Sequence, residues 1–221
     1  MGKKRAPTPA QKRRSTLEQE IRSRGAAPRN IWVVRPPFED KSLILSSDTE
    51  MELFYFLEGE PRLTDIDYSP LRMDQARAGN RHVRVFARAS TSGGSKFEIS
   101  LTAATTAEAA RDNPFETESP RVEIGLQHLN AYAMRIENWR RILPCARRVR
   151  CHPIAALECQ ILLSLRQGPV TIRQITNLYS EVSSPALVYG AIACLLRKRQ
   201  ITSDCDTRPW SLHTLIQGAW L

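Results

Sequence analysis

No stretch of this 221-residue chain approaches the run of about eighteen apolar residues that a membrane-spanning helix needs, and no apolar leader segment stands near its start. The expectation is a cytoplasmic protein with no membrane partner. Cysteine is sparse: Cys145, Cys151, Cys159, Cys194 and Cys205 form an odd set without a CxxC pair, which fits free thiols in a reducing compartment better than disulfides. The spacing of Cys145, Cys151, His152 and Cys159 matches no common zinc site, so no metal is expected there.

Large apolar residues are also scarce over the first 29 positions, where only Leu17 and Ile21 come after Met1. Nine Lys/Arg stand there against Glu18 and Glu20, a local charge of +7 out of the chain's formal +9. Such a segment buries too little surface to fold alone. Residues 1–29 therefore read as a disordered basic arm. Lys3, Lys4, Arg5, Lys12, Arg13 and Arg14 are candidate phosphate contacts that would act by counterion release without sequence preference. A solubilising tail is the plainer alternative.

Periodicity begins beyond residue 29. "NIWVVRPPF" predicts a short strand stopped by Pro36 and Pro37, and Ser47 to Leu57 predicts a helix with Leu53, Phe54 and Leu57 on one face, ended by Gly59 and Pro61. "LTDIDYSP", "RHVRVFARAS" and "KFEISLTA" alternate as strands, the last two joined by a Gly93-Gly94 loop. Helical signal returns at "LTAATTAEAARD", and "SPRVEIG" opens as a strand before a helix over Asn138 to Arg148. Residues 30–150 thus read as an α/β domain with a linker helix.

From His152 the texture is helical: "IAALECQILLSLRQ", then "TIRQITNLY" capped by Thr171, then "SSPALVYGAIACLLRKRQ" capped by Ser184 with Pro185 in its first position. "ITSDCDTRPWSLHTLI" reads as a hairpin, and three helices before a hairpin describe an α+β winged helix over 151–221. Its third helix offers Leu187, Val188, Tyr189, Ile192, Leu195 and Leu196 rather than base-reading side chains. The two apolar stripes exceed what a small core uses. Tyr189, Arg197, Lys198 and Arg199 are therefore expected to meet a protein partner, although cations in a last turn also suit the helix dipole.

An acidic helix ending at Glu60-Pro61, strands, a helix carrying "NWRR" and a wing reading "LLRKRQITSDCDTRPWSLHT" together resemble TnsA, the endonuclease subunit of heteromeric cut-and-paste transposases. The resemblance implies a restriction-endonuclease-like N-terminal domain in a bacterial cell. It also implies DNA, a DDE-type transposase subunit and an AAA+ regulator ATPase as partners. In that family a helix Glu, the Asp of a "PDF" and an E-x-K strand hold Mg²⁺, because a hard cation needs converging oxygens and the lysine steadies the developing negative charge.

Here the helix acid falls on Glu50, which Ser47-x-x-Glu50 equally makes part of a capping box. "PDF" falls on Arg84, Val85 and Phe86, and E-x-K on Glu98, Ile99 and Ser100. Val85 cannot bind a cation, and Ser100 is no lysine. Glu50 and Glu98 are thus catalytic remnants, Glu98 being equally readable as a solvent-facing strand residue, and no cofactor is expected. Two other readings stay open: an Mg-dependent endonuclease rearranged around Asp65, Asp67, Lys96 and Glu98, and a winged-helix DNA-binding regulator. The leading expectation is a cleavage-deficient, DNA-associated accessory subunit of a transposition complex. Arg140, Arg141, Arg147, Arg148 and Arg150 would add a second phosphate-binding patch, or merely decorate an exposed helix face.

Overall fold

The computed structural model describes residues 30–36, 42–68, 85–102, 114–115 and 119–219. The basic arm with its six candidate cations, Arg84, and most of the helix expected at "LTAATTAEAARD" lie outside the described residues. Within them the chain is an α/β protein with six α-helices and a mixed central sheet. Among these residues no helix is long and apolar enough to cross a membrane.

The chain divides at Met51/Glu52 into two compact units. In the first, β1 (Trp32–Val34) pairs antiparallel with β2 (Leu43–Leu45), a strand too short to announce itself in the sequence. Helix α1 (Asp48–Gly59) begins in this unit, and Asp48 accepts from Asn30 Nδ2 at 3.0 Å and Trp32 Nε1 at 2.7 Å.

The second unit holds a four-stranded sheet in the order β3 (Leu63–Asp67), β4 (Val85–Thr91), β5 (Lys96–Thr102), β6 (Arg121–Gly125). The first three strands are antiparallel and β6 runs parallel to β5, so the chain crosses over between them. Alternation sends Ile66, Ala87, Ala89, Phe97, Ile99, Val122 and Ile124 to one buried face. Phe56 of α1 reaches that face through Phe115, whose ring stands 6.3 Å from Phe56 and 5.7 Å from Phe97.

After β6 come α2 (Leu126–Ala131) and α3 (Ala133–Arg148), the latter starting about a turn and a half earlier than its sequence signal. Next are α4 (Ala155–Ser164), a 3₁₀ turn, β7 (Val170–Thr171), α5 (Ile172–Leu178), α6 (Pro185–Arg197), β8 (Ile201–Ser203) and β9 (Leu215–Gly218). The capping of α5 works as its sequence predicts: Gln174 N donates to Thr171 Oγ1, and the Gln174 side chain accepts from Thr171 N. Strand β7 adds to the expected hairpin, giving a small sheet β7-β9-β8. Residues on both sides of 150/151 belong to the same compact unit, Glu52–Leu221.

One expectation needs correcting. The second apolar stripe of α6 is not left over for a partner, because α3 of the same chain covers it. Val188, Ala191, Ile192 and Leu195 are all fully buried. The helices approach so closely at Gly190 that a Cβ built there would lie 2.1 Å from Val149 Cγ1. Overpacking of this kind costs about 1–3 kcal/mol. Gly190→Ala is accordingly expected to lower the melting temperature, and Val149→Ala in the same chain to recover part of the loss. Gly93→Ala, whose added Cβ would have its nearest neighbour at 3.8 Å, should change little.

Candidate functional site

The first remnant acid is occupied at the start of α1. Glu50 N donates to Ser47 Oγ at 3.1 Å, while the Glu50 carboxylate accepts from Ser46 N at 2.7 Å and Ser46 Oγ at 3.2 Å. This is the reciprocal logic of a capping box with the return bond shifted by one residue. The geometry gives Glu50 a structural task within the first unit.

The second remnant acid sits in a charged row across the sheet. Glu98 lies opposite Arg88 on β4 and Arg121 on β6, and Asp67 on β3 lies opposite Arg88. Glu98 Oε1 accepts from Arg88 Nη2 at 3.0 Å and Nε at 3.2 Å, and its other oxygen is 3.8 Å from Arg121 Nε. Directly opposed residues share a face. Asp65, Ser90 and Lys96 form the next row, so Asp65, Asp67, Lys96 and Glu98 do share one side as expected. A residue with a guanidinium, Arg88, stands between Asp67 and Glu98 in the row. Val85 and Ser100, the positions where the resemblance asks for Asp and Lys, are themselves cross-strand partners. Among the described residues no three His, Cys, Asp or Glu gather as a metal would require.

The arginines of α3 divide into two groups. Arg140 lies 3.8 Å from Glu52 and 3.6 Å from Glu137, with its guanidinium 5.9 Å from the Tyr55 ring centre, and Arg141 bonds Glu137 at 3.0 Å. Their charge is balanced within the chain. Arg147 and Arg148 are exposed and make no ion pair among the described residues. Beside Arg140 runs a shallow groove of about 230 Å³, lined by Glu52, Leu129, Ile136 and Glu137, which contains neither remnant acid.

The expected partner patch is a second correction. Arg197 points inward to pair with Glu58, whose other oxygen accepts from Tyr68 Oη at 2.9 Å. Burial pulls the Arg197 guanidinium down, but the Glu58 charge and hydrogen bond together with Tyr68 and Asp65 outweigh it and raise its proton affinity. Arg199 is in the left-handed region at φ 59° and donates to three carbonyls: Glu58 O at 2.8 Å, Leu63 O at 3.1 Å and Leu196 O at 3.3 Å. It also lies 5.5 Å from the Trp139 ring centre. Lys198 holds both oxygens of Glu158, at 2.8 and 2.7 Å. Tyr189 alone of the four remains half-exposed and outside these ion pairs.

Several residues that organise this region carry little signal in the sequence. Glu58 and Glu60 are completely buried. Arg135 donates to Glu60 at 2.7 Å and to both oxygens of Asp206, at 2.8 and 2.6 Å. Burial lowers the Arg135 affinity for its proton, but the Asp206 bonds and the Glu60 charge outweigh it and raise it above the ordinary arginine value. Asn138 donates to Cys205 O and Arg208 O at 2.6 and 2.7 Å, and accepts from Trp210 N at 2.7 Å, fixing the 204–214 loop to α3. The one available clue is local: two acids flank Gly59 directly after the apolar run "LFYFL".

No family model, curated protein or solved structure matches this chain.

The two acids should respond differently to substitution. Glu58→Gln strands Arg197 without its counter-charge and is expected to remove about 3–5 kcal/mol in urea unfolding. Glu98→Ala breaks a half-exposed pair and should cost no more than about 1 kcal/mol. Equal losses in the two variants would contradict the assignment of Glu58 as the buried structural acid.

Proposed function

We propose that this chain is a DNA-associated accessory subunit of a cut-and-paste transposition complex, TnsA-like in its architecture and without cleavage of its own. The order of elements supports the reading: a helix, three antiparallel strands, a parallel fourth strand, a linker helix, then three helices with a small sheet. On this proposal the strand-rich part is a restriction-endonuclease-like core and residues 151–221 are a winged helix. A DDE-type transposase and an AAA+ regulator ATPase are the partners it would serve.

The observation that carries the absence of cleavage is the Arg88–Glu98–Arg121 row. A carboxylate already neutralised by guanidinium groups is a poor ligand for Mg²⁺, which needs near-octahedral oxygen at close range. The opposed Val85 and Ser100 supply neither a second oxygen anion nor a cation for the transition state. Against a sequence-reading regulator stands α6, whose exposed first residues, Pro185 and Ala186, offer no Arg, Asn or Gln to base edges.

Supercoiled plasmid incubated with the protein in Mg²⁺ or Mn²⁺, alone and with its transposase, should show no strand breaks from this subunit, and Glu98→Ala should change nothing. Nicking that disappears in Glu98→Ala would overturn the proposal in favour of a rearranged endonuclease. DNA affinity itself should fall steeply with salt, and Arg147→Ala/Arg148→Ala should lower the log–log slope by about 2. The same pair of changes at Arg140 and Arg141, whose charges are already balanced, should lower it less.

A further inference from the structure

Tyr189 and Trp210 are the one aromatic pair among the described residues that belongs to neither the sheet's core nor α1. Their ring centres are 6.3 Å apart at an interplanar angle of 69°, and both side chains are half-exposed. A core pair looks different: Phe54 and Tyr68, also in contact, are buried to 1% and 6% exposure.

The backbone under each ring is fixed. The backbone N–H of Trp210 donates to Asn138 Oδ1 at 2.7 Å, and Asn138 is itself buried, so the main chain that carries the indole is tied to α3. Tyr189 precedes Gly190, where α6 presses on Val149 at the end of α3. Tyr and Trp have two side-chain torsions each, so rings on an anchored backbone lose little freedom on binding a flat ligand.

Two exposed arginines belong to the elements packed around the pair. Arg173, in the first turn of α5, donates its backbone N–H to Leu212 O at 2.9 Å, which sets α5 against the loop that carries Trp210. Arg148 immediately precedes Val149, against which Gly190, the neighbour of Tyr189, is packed. Burial, followed by Cys145, raises the Tyr189 phenol, and Arg173 opposes them. Arg148 and Arg173 are exposed and form no ion pair among the described residues. Half-exposed rings with unpaired guanidinium groups on the elements around them suit an alternation of base and phosphate.

We infer that Tyr189 and Trp210 form a stacking platform for an unpaired nucleobase, with Arg148 and Arg173 receiving the phosphates on either side. The inference rests on the DNA-associated reading and sharpens it: the ligand is single-stranded nucleic acid, as at a cut or frayed end, rather than intact duplex. Stacking on aromatic side chains is indifferent to sequence because every base has a π-face.

The test uses the full chain, a labelled oligothymidylate of about fifteen nucleotides and a duplex of the same length, with affinity read by anisotropy and tryptophan emission tracked in parallel. Tyr189→Leu and Trp210→Leu are each expected to weaken single-strand binding roughly tenfold or more while leaving duplex binding unchanged. Tyr189→Phe and Trp210→Phe, which keep a flat ring, should bind nearly as the parent does, and the strand should quench emission in the parent more than in Trp210→Phe. Arg148→Ala/Arg173→Ala tests the same place through exposed side chains without disturbing packing, and should weaken single-strand binding even if a leucine variant melts early.

Leucine variants that keep single-strand affinity, or that lose duplex and single-strand affinity in the same proportion, overturn the platform. So does displacement of the oligonucleotide by polyglutamate at equal charge, which would make the surface one for acidic peptides. Duplex binding without any ring-dependent single-strand binding refutes the platform alone. Failure to bind either DNA form refutes the DNA-associated reading along with it.

Discussion

The guanidinium of Arg199 is the point on which the larger unit's geometry turns. It supplies hydrogen bonds to carbonyls at the ends of α1 and α6 and to the first residue of β3, and so joins three elements through one side chain. Only a long, planar, multiply donating side chain can serve three carbonyls from one position. The consequence is a desolvated cation close to Arg197, and these two effects, burial first, lower its proton affinity to about 10. It is still charged at neutral pH, so the region needs fixed anions. Glu58 and Glu60 meet that need, with Arg135 and Asp206 completing the balance.

Much of the architecture is legible in the sequence because it depends on short-range chemistry. The Thr171 cap, Ser184 before Pro185, the alternation in β3 to β6 and the capping role open to Glu50 all rest on neighbours a few residues apart. Strands β2 and β7 escape such a reading because three and two residues carry no period. Glu58 and Arg197 are hidden for a different reason. A carboxylate at a helix end and a basic last turn are ordinary solvated features in sequence, and only tertiary contact tells that the two neutralise each other. Asn138 is equally opaque, since its three bonds all reach a loop roughly seventy positions away.

The candidate catalytic face and the candidate reading helix have met similar ends. Charges that could have gathered a metal engage one another across β3 to β6, which ties the strands together. The helix that could have read bases packs one face on the end of α3, which ties the C-terminal elements to that helix. Both surfaces have been turned to cohesion. Among the described residues, Arg147 and Arg148 at the end of α3 and the half-exposed Tyr189 and Trp210 remain available for encounter.

The ion pairs join distant parts of the chain: Arg197 lies 139 residues after Glu58, and Arg135 lies 75 after Glu60. During synthesis the apolar end of α1 therefore emerges long before the groups that neutralise its acids. Until α6 has left the ribosome, closing the sheet over α1 would enclose a carboxylate without its cation. The early half of the polypeptide must wait for the late half, and order of translation becomes a constraint on when this unit can become native.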